Sequence, residues 1–255
     1  MKITMLSICR ILFLLAILAS GNPSSAAQED PGKPLRGHDD RVALDSIEPP
    51  YSAIGRLNLG GGRQFCSGTL IAPDKVLTAA HCLIDSRTKK PYLPSQVHFV
   101  AGQRRNIFID HAPARCLIPL KRKASTGAPD IQDYTDDVAV IVLTRPLNVA
   151  PVSRATAYIG DPGRLSHPAY SKSRPYLLSQ HANCALLFKS KGMWLTDCDT
   201  AYGSSGGPVF AYKDNHPRLI AVMSGISRTG NEVFSIAVPV TIWDKLATSA
   251  TCDRN

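Results

Sequence analysis

The sequence predicts an all-β protein, a sandwich or a barrel, carried behind an N-terminal export signal. Three observations carry the prediction. From about Ala43 onward the chain is a series of short apolar runs, most of four to six residues and rich in Val, Ile, Leu and Phe. Turn clusters such as Gly60-Gly61-Gly62, Lys213-Asp214-Asn215 and Thr229-Gly230-Asn231 separate them. A helical period is confined to one stretch near the C-terminus. With 44% hydrophobic and 19% charged residues over 255 positions, the chain can bury a sizeable core and is not intrinsically disordered. No block recurs at a fixed period, which excludes a long repeat array.

In chain order, residues 1–27 read as a secretory signal. Lys2 and Arg10 make a basic start, Ile11 to Ala19 an apolar core, and Ser25-Ala26-Ala27 a small-residue cleavage site. The apolar run is nine residues, too short for a helix to span a bilayer core of about 30 Å. An uncleaved membrane anchor is the alternative; a lipid anchor is weaker, since Cys9 precedes the apolar core. Residues 28–41 are polar and hold two Pro and two Gly, suiting a pro-segment or flexible N-terminus. Examples of the strand-like runs are Ser67–Ile71, Lys75–Ala79, Val97–Val100, Asn106–Ile109, Val138–Leu143, Leu186–Phe188, Pro208–Tyr212, Leu219–Met223 and Val233–Val238. Arg145–Ala157, with two Pro and little periodicity, links two β halves. In Val240–Ala250 the residues Val240, Trp243, Leu246 and Ala247 share one helical face, with Thr241 the expected N-cap.

Export changes the cysteine and charge arithmetic. Without Cys9, six remain: Cys66, Cys82, Cys116, Cys184, Cys198 and Cys252. An even number in an oxidising compartment favours disulfides. None of the pairs near histidines shows the close spacing of a structural zinc site, so no metal and no cofactor is expected. Net charge falls from +9 to +7, 27 basic against 20 acidic residues, spread without a basic tract. Nucleic acid is therefore not an expected partner.

Three stretches carry chemistry: Thr78-Ala79-Ala80-His81-Cys82, Asp136-Asp137-Val138-Ala139-Val140, and Gly203-Ser204-Ser205-Gly206-Gly207-Pro208. A serine hydroxyl is a poor nucleophile at neutral pH. It needs an imidazole to take its proton and a buried carboxylate to hold that imidazole's tautomer. A tetrahedral intermediate needs N–H donors aimed at its oxygen, which a Gly-rich turn can supply. Each part has a plainer reading: His81 as a core histidine, Ser205 as a turn serine, Asp136 as a loop carboxylate. Gly203-x-Ser205-x-Gly207 also fits the nucleophile elbow of α/β-hydrolases. That fold wants its acid and histidine after the serine, and only His216 follows Ser205.

Together these stretches resemble the chymotrypsin-fold, trypsin-like serine proteases, which show TAAHC, D-[IV]-A-[LV] and G-[DNQS]-S-G-[GS]-P in this order. Phe65-Cys66-Ser67-Gly68-Thr69-Leu70-Ile71 matches the family's cysteine before the histidine block. The resemblance covers roughly residues 50–240 and is closest to the bacterial V8-like, glutamyl-endopeptidase branch. Gly37-x-Asp39-Asp40-Arg41, Tyr51–Ile54, Asp199-Thr200 and Ala237–Val240 are similar to that branch. It implies two six-stranded antiparallel β-barrels with a C-terminal α-helix: a first barrel at about 50–145, a second at about 158–238, and the helix at about 240–250, within a protease domain of 42–255.

It further implies His81 as general base, Asp137 as its orienter and Ser205 as nucleophile, with the N–H groups of Gly203 and Ser205 as oxyanion hole. Asp199, Tyr202, Met223 and Ser224 fall at substrate-pocket positions. Cys66 pairs with Cys82 in the histidine-loop bridge, Cys184 pairs with Cys198, and Cys116 is left for Cys252. The implied activity is an exported, secreted or periplasmic, monomeric serine endopeptidase acting on protein or peptide. Catalytically silent binding modules and esterases of the same fold are the alternatives.

Two departures matter. Ser204 stands where animal trypsins place an aspartate that pairs with the newly cut N-terminus, so that activation switch is not expected. Asp199 lies six residues before Ser205, where trypsins bind Lys or Arg. Glutamyl endopeptidases also have an aspartate there, but with a histidine at the position of Met223. The preferred side chain is left open, basic slightly ahead of acidic.

Overall fold

The computed structural model describes residues 38–120, 134–155 and 161–252. The expected signal, and all but 38–41 of the expected pro-segment, lie outside them. Two closed barrels result. The first is built from β2 (Ile54–Leu59), β3 (Gln64–Ala72), β4 (Lys75–Thr78), β5 (Val97–Ala101), β6 (Asp110–Pro119) and β7 (Ala139–Leu143). It closes in the order β2-β3-β4-β7-β6-β5, with β5 returning to β2 from Gly55↔Ala101 to Leu59↔Val97. The second is built from β8 (Arg164–Ser171), β9 (Arg174–Lys189), β10 (Trp194–Thr196), β11 (Pro208–Lys213), β12 (His216–Thr229) and β13 (Glu232–Pro239). It runs β8-β9-β10-β13-β12-β11 and closes where Phe210 of β11 pairs with Ser166 of β8. A two-residue strand, β1 (Val42–Ala43), lies outside on β9.

All neighbouring strands within the barrels are antiparallel. Closure leaves no open edge, and short strands with tight turns suit that geometry. One expected strand is displaced. Asn106–Ile109 is a turn, clamped by reciprocal Arg104–Ile107 backbone bonds of 2.8 and 2.9 Å, and the strand begins at Asp110. Its apolar residues mislead because Ile107 and Phe108 are exposed rather than turned into the barrel core. Strands β1, β2, β8 and β10 fall outside the runs singled out from the sequence. Arg56 and Asn58 interrupt β2, and Ser166, His167 and Pro168 interrupt β8.

The C-terminal helix occupies Val240–Ser249. It starts two residues earlier than Thr241 as N-cap would dictate. Pro239 is the N-cap and Thr241 makes no cap bond, a correction that follows from Pro239 ending β13 in an extended conformation. Val240, Trp243 and Ala247 are buried in the core of the first barrel's cluster, and Trp243 Nε1 donates to Val238 O at 3.0 Å. Arg154 to Asp244 (2.7 Å) and the Cys116–Cys252 disulfide fix the helix and tail in place. Among the described residues no helix is long and apolar enough to cross a membrane.

Candidate active site

His81 follows β4 on a single 3₁₀ turn, Ala80–Leu83. The Cys66–Cys82 disulfide ties that turn back to β3. Asp137 comes just before β7, the strand paired with β4, so the two meet by construction. Asp137 grips His81 twice: the ring Nδ1–H donates to Oδ2 at 2.7 Å and the backbone N–H donates to Oδ1 at 2.7 Å. The Ser224 hydroxyl, from β12, donates to the same Oδ2. Burial alone would raise the Asp137 pKa, but attraction to His81 and these hydrogen bonds outweigh it and hold the carboxyl below its ordinary value. For His81, desolvation lowers the pKa, and the Asp137 charge and hydrogen bond outweigh it, so the net shift is upward. Half of the His81 side chain remains open to solvent, at 49% exposure against 8% for Asp137. The Nδ1–H bond leaves Nε2 as the basic atom. The neighbouring Asp136 does not reach His81; its carbonyl accepts from Val138 N at 2.8 Å.

Ser205 sits on the turn between β10 and β11. Its hydroxyl donates to the Ser224 carbonyl at 3.3 Å, and no bond to His81 is made; a change of χ1 would redirect it. The turn is held by groups that its own motif does not include. Ser67 N–H donates to Ser205 O at 2.9 Å, Ser67 Oγ donates to Gly203 O at 3.0 Å, and Thr78 Oγ1 donates to Ser67 O at 2.9 Å. Gly206 N–H donates to Met223 O, and Met223 N–H to Gly207 O, lacing the turn to β12. Gly206 must be glycine: its φ is +80°, and a Cβ would lie 2.1 Å from Thr78 Oγ1 and 2.3 Å from Ser67 O. With Gly203 at φ +98°, the Gly203 and Ser205 N–H groups find no backbone acceptor among the described residues. Two such donors at one turn can hold a developing oxyanion.

The expected pocket residues separate. Met223 is buried in the second barrel's core. Ser224 is buried, its hydroxyl on Asp137 and its carbonyl on Ser205. Tyr202 is exposed, with Lys172 Nζ 5.4 Å from its ring centre. Asp199 is only 3% exposed, and its carboxylate accepts from Asp40 N–H at 2.7 Å. Its own N–H donates to His181 Nδ1 at 2.8 Å. The neighbours of Asp40 are held as well: Arg41 pairs with Asp39 at 2.8 Å, and Val42 pairs with Gln180 on β9. Ser204, in place of the activation aspartate, is buried, its hydroxyl accepting from Ala201 N–H. The second disulfide, Cys184–Cys198, ties β9 to the residue before Asp199. Ser67, Thr78 and Asp40 stand inside motifs read from the sequence but were given no role there, and His181 stands in none.

Comparison with known proteins agrees with this architecture. The family described as Trypsin matches residues 46–246. A trypsin of Saccharopolyspora erythraea is 33% identical over 99 residues, 38% of this chain and 38% of that protein. Serine protease 23 of Bos taurus is 25% identical over 88% of this chain and 67% of that protein. The structure of a Glu endopeptidase in complex with MPD superposes with a TM-score of 0.68 at 18% identity, covering 84% of this chain and 99% of that one, a likeness of fold. The match to the trypsin spans well under half of either chain, while the family match takes in β2 to β13, including His81, Asp137 and Ser205. This chain belongs to the trypsin-like, chymotrypsin-fold serine protease family.

Proposed function

We propose that the protein is an exported serine endopeptidase that cleaves protein or peptide substrates through an acyl-enzyme. The observation that carries this reading is the double grip of Asp137 on His81 beside the Ser205 turn. Ser205 Oγ attacks the scissile carbonyl carbon as its proton passes to His81 Nε2. The carbonyl oxygen becomes an oxyanion facing the Gly203 and Ser205 N–H groups. The C–N bond then breaks as His81 returns the proton to the leaving amine. Water, deprotonated by His81, attacks the acyl-enzyme and releases the acid and a free serine. The enzyme acts as a monomer, without nucleic acid, metal or cofactor. Three disulfides suit a secreted or periplasmic site of action.

Affinity with the glutamyl-endopeptidase branch is part of this proposal, without that branch's Glu preference, since Met223 replaces the histidine and is buried. Asp199 is already engaged by Asp40 N–H, which favours a structural role over a direct ion pair with Lys or Arg. A peptide-library digest tests both points. Cleavage of internal peptide bonds, abolished in Ser205→Ala, supports the endopeptidase. Turnover of esters alone overturns it, and a dominant Lys/Arg preference would return Asp199 to the pocket.

A further inference from the structure

Among the described residues, Arg56 is a buried cation without a counter-charge. It lies mid-strand in β2 and is 6% exposed. Its guanidinium carbon stands 4.2 Å over the centre of the Phe65 ring and 5.0 Å over that of Tyr176. The Nε is sealed from solvent with no acceptor; the terminal nitrogens are not sealed, and among the described residues no carboxylate or carbonyl accepts from them. Desolvation lowers its pKa, only partly offset by Tyr176 and Tyr170. A second cation adds to the field. Arg104 is 2% exposed, with Nε and Nη2 lacking acceptors and Nη1 donating to Gln103 O. Both guanidiniums act on Tyr170, whose hydroxyl donates to Gln103 O at 3.0 Å.

The position of this cluster relative to the cleavage site follows from Phe65. Its ring edge is 2.5 Å from where a Cβ on Gly203 would stand, so it abuts the oxyanion turn. Phe65 also precedes Cys66, whose disulfide partner Cys82 adjoins His81. His81 must protonate the leaving amine and therefore faces the leaving group. The Phe65 and Tyr176 rings lie against the Arg56 guanidinium, while its terminal nitrogens are not sealed; a carboxylate pairs with such N–H groups in the guanidinium plane. An extended substrate advances about 3.3 Å per residue, so two or three residues past the scissile bond reach about 7–10 Å.

We propose that Arg56, between Phe65 and Tyr176, forms an anion-accepting subsite on the leaving-group side, taking a substrate carboxylate within two or three residues beyond the scissile bond. This rests on the endopeptidase reading. The test uses the full mature chain and two peptides differing only by Glu or Gln at the second position past the cleaved bond, with the first and third positions scanned likewise. A charge-assisted hydrogen bond predicts a Glu-over-Gln ratio in kcat/KM of about tenfold or more at one position. In Arg56→Gln the ratio falls to about one. Binding of the same peptides to Ser205→Ala, followed by fluorescence anisotropy, gives the same ranking independently of turnover and of whether Arg56→Gln folds. If the wild type cleaves neither peptide, the endopeptidase reading fails, and the binding ranking alone decides the subsite. Equal binding and equal cleavage of Glu and Gln peptides at all three positions overturns the proposal, leaving Arg56 a structural stack.

Discussion

On the Asp137 carboxylate three donors converge, two from His81 and one from Ser224. This concentration sets the site's titration. As the proposed general base, His81 would have to be neutral to accept the serine proton, so an upward shift of its pKa predicts an acid limb of kcat/KM above the ordinary histidine value of about 6.5. Activity should rise through that pH and level off on the alkaline side. In Ser224→Ala one of the bonds holding Asp137 is gone, and a modest loss in kcat is expected with KM little changed. Ser205→Ala or His81→Ala should each lose on the order of 10⁵–10⁶ in kcat, and Asp137→Asn about 10⁴ by holding the wrong tautomer. Steady-state kinetics across pH 5–9 measure all of these; a flat profile over pH 5–8 contradicts a histidine base. The three candidate residues can be picked out of the sequence because each sits in a local motif. The hydroxyl of Ser224 cannot be: it reaches Asp137 across 87 positions of chain, and no local pattern records such a contact.

Among the elements, disulfides and strands differ in what each does for the site. The Cys66–Cys82 and Cys184–Cys198 loops close 16 and 14 residues, and Cys116–Cys252 closes 136. Chain entropy assigns about 3 kcal/mol to each short loop and about 5 kcal/mol to the long one, before native strain. Removing Cys116 and Cys252 together should therefore lower the denaturant midpoint most while leaving folded-state kcat close to wild type, since that bridge anchors the tail. Removing Cys66 and Cys82 should cost less stability and more kcat, because the bridge flanks His81. Chemical denaturation and kinetics on the two double variants check the inversion. Strands with clean apolar runs, such as β7 (Ala139–Leu143), were legible. Strand β2 was not, because its interior carries Arg56 in an aromatic stack, the kind of residue that alternation rules assign to solvent. The Ile107–Ile109 run failed in the opposite sense, apolar yet exposed.

At the scale of the molecule, the barrels are joined through Ser67, which touches Tyr170 and Gly203 from β3, and a local reading of sequence contains no such joint. His167 shows how closure of the second barrel depends on pH. It is 1% exposed, donates from Nδ1 to Pro208 O at 2.8 Å across β8 and the start of β11, and burial pushes its pKa down to about 4. The unfolded chain takes up this proton near pH 6.5 and the folded one only near 4. Stability from this group is full above about pH 6.5 and falls as pH drops toward 4, by about 2 kcal/mol at pH 5. Urea denaturation at pH 7 and pH 5 should show that this part of the slope vanishes in His167→Gln; an unchanged slope contradicts the assignment. The central claim, that both barrels assemble a working serine nucleophile, is tested most directly by intact-mass and peptide mapping after treatment with a fluorophosphonate. One adduct per chain, on Ser205, absent from Ser205→Ala and strongly slowed in His81→Ala, is the predicted result. A wild-type chain that stays unlabelled, or a Ser205→Ala chain labelled as fast as wild type, would contradict it.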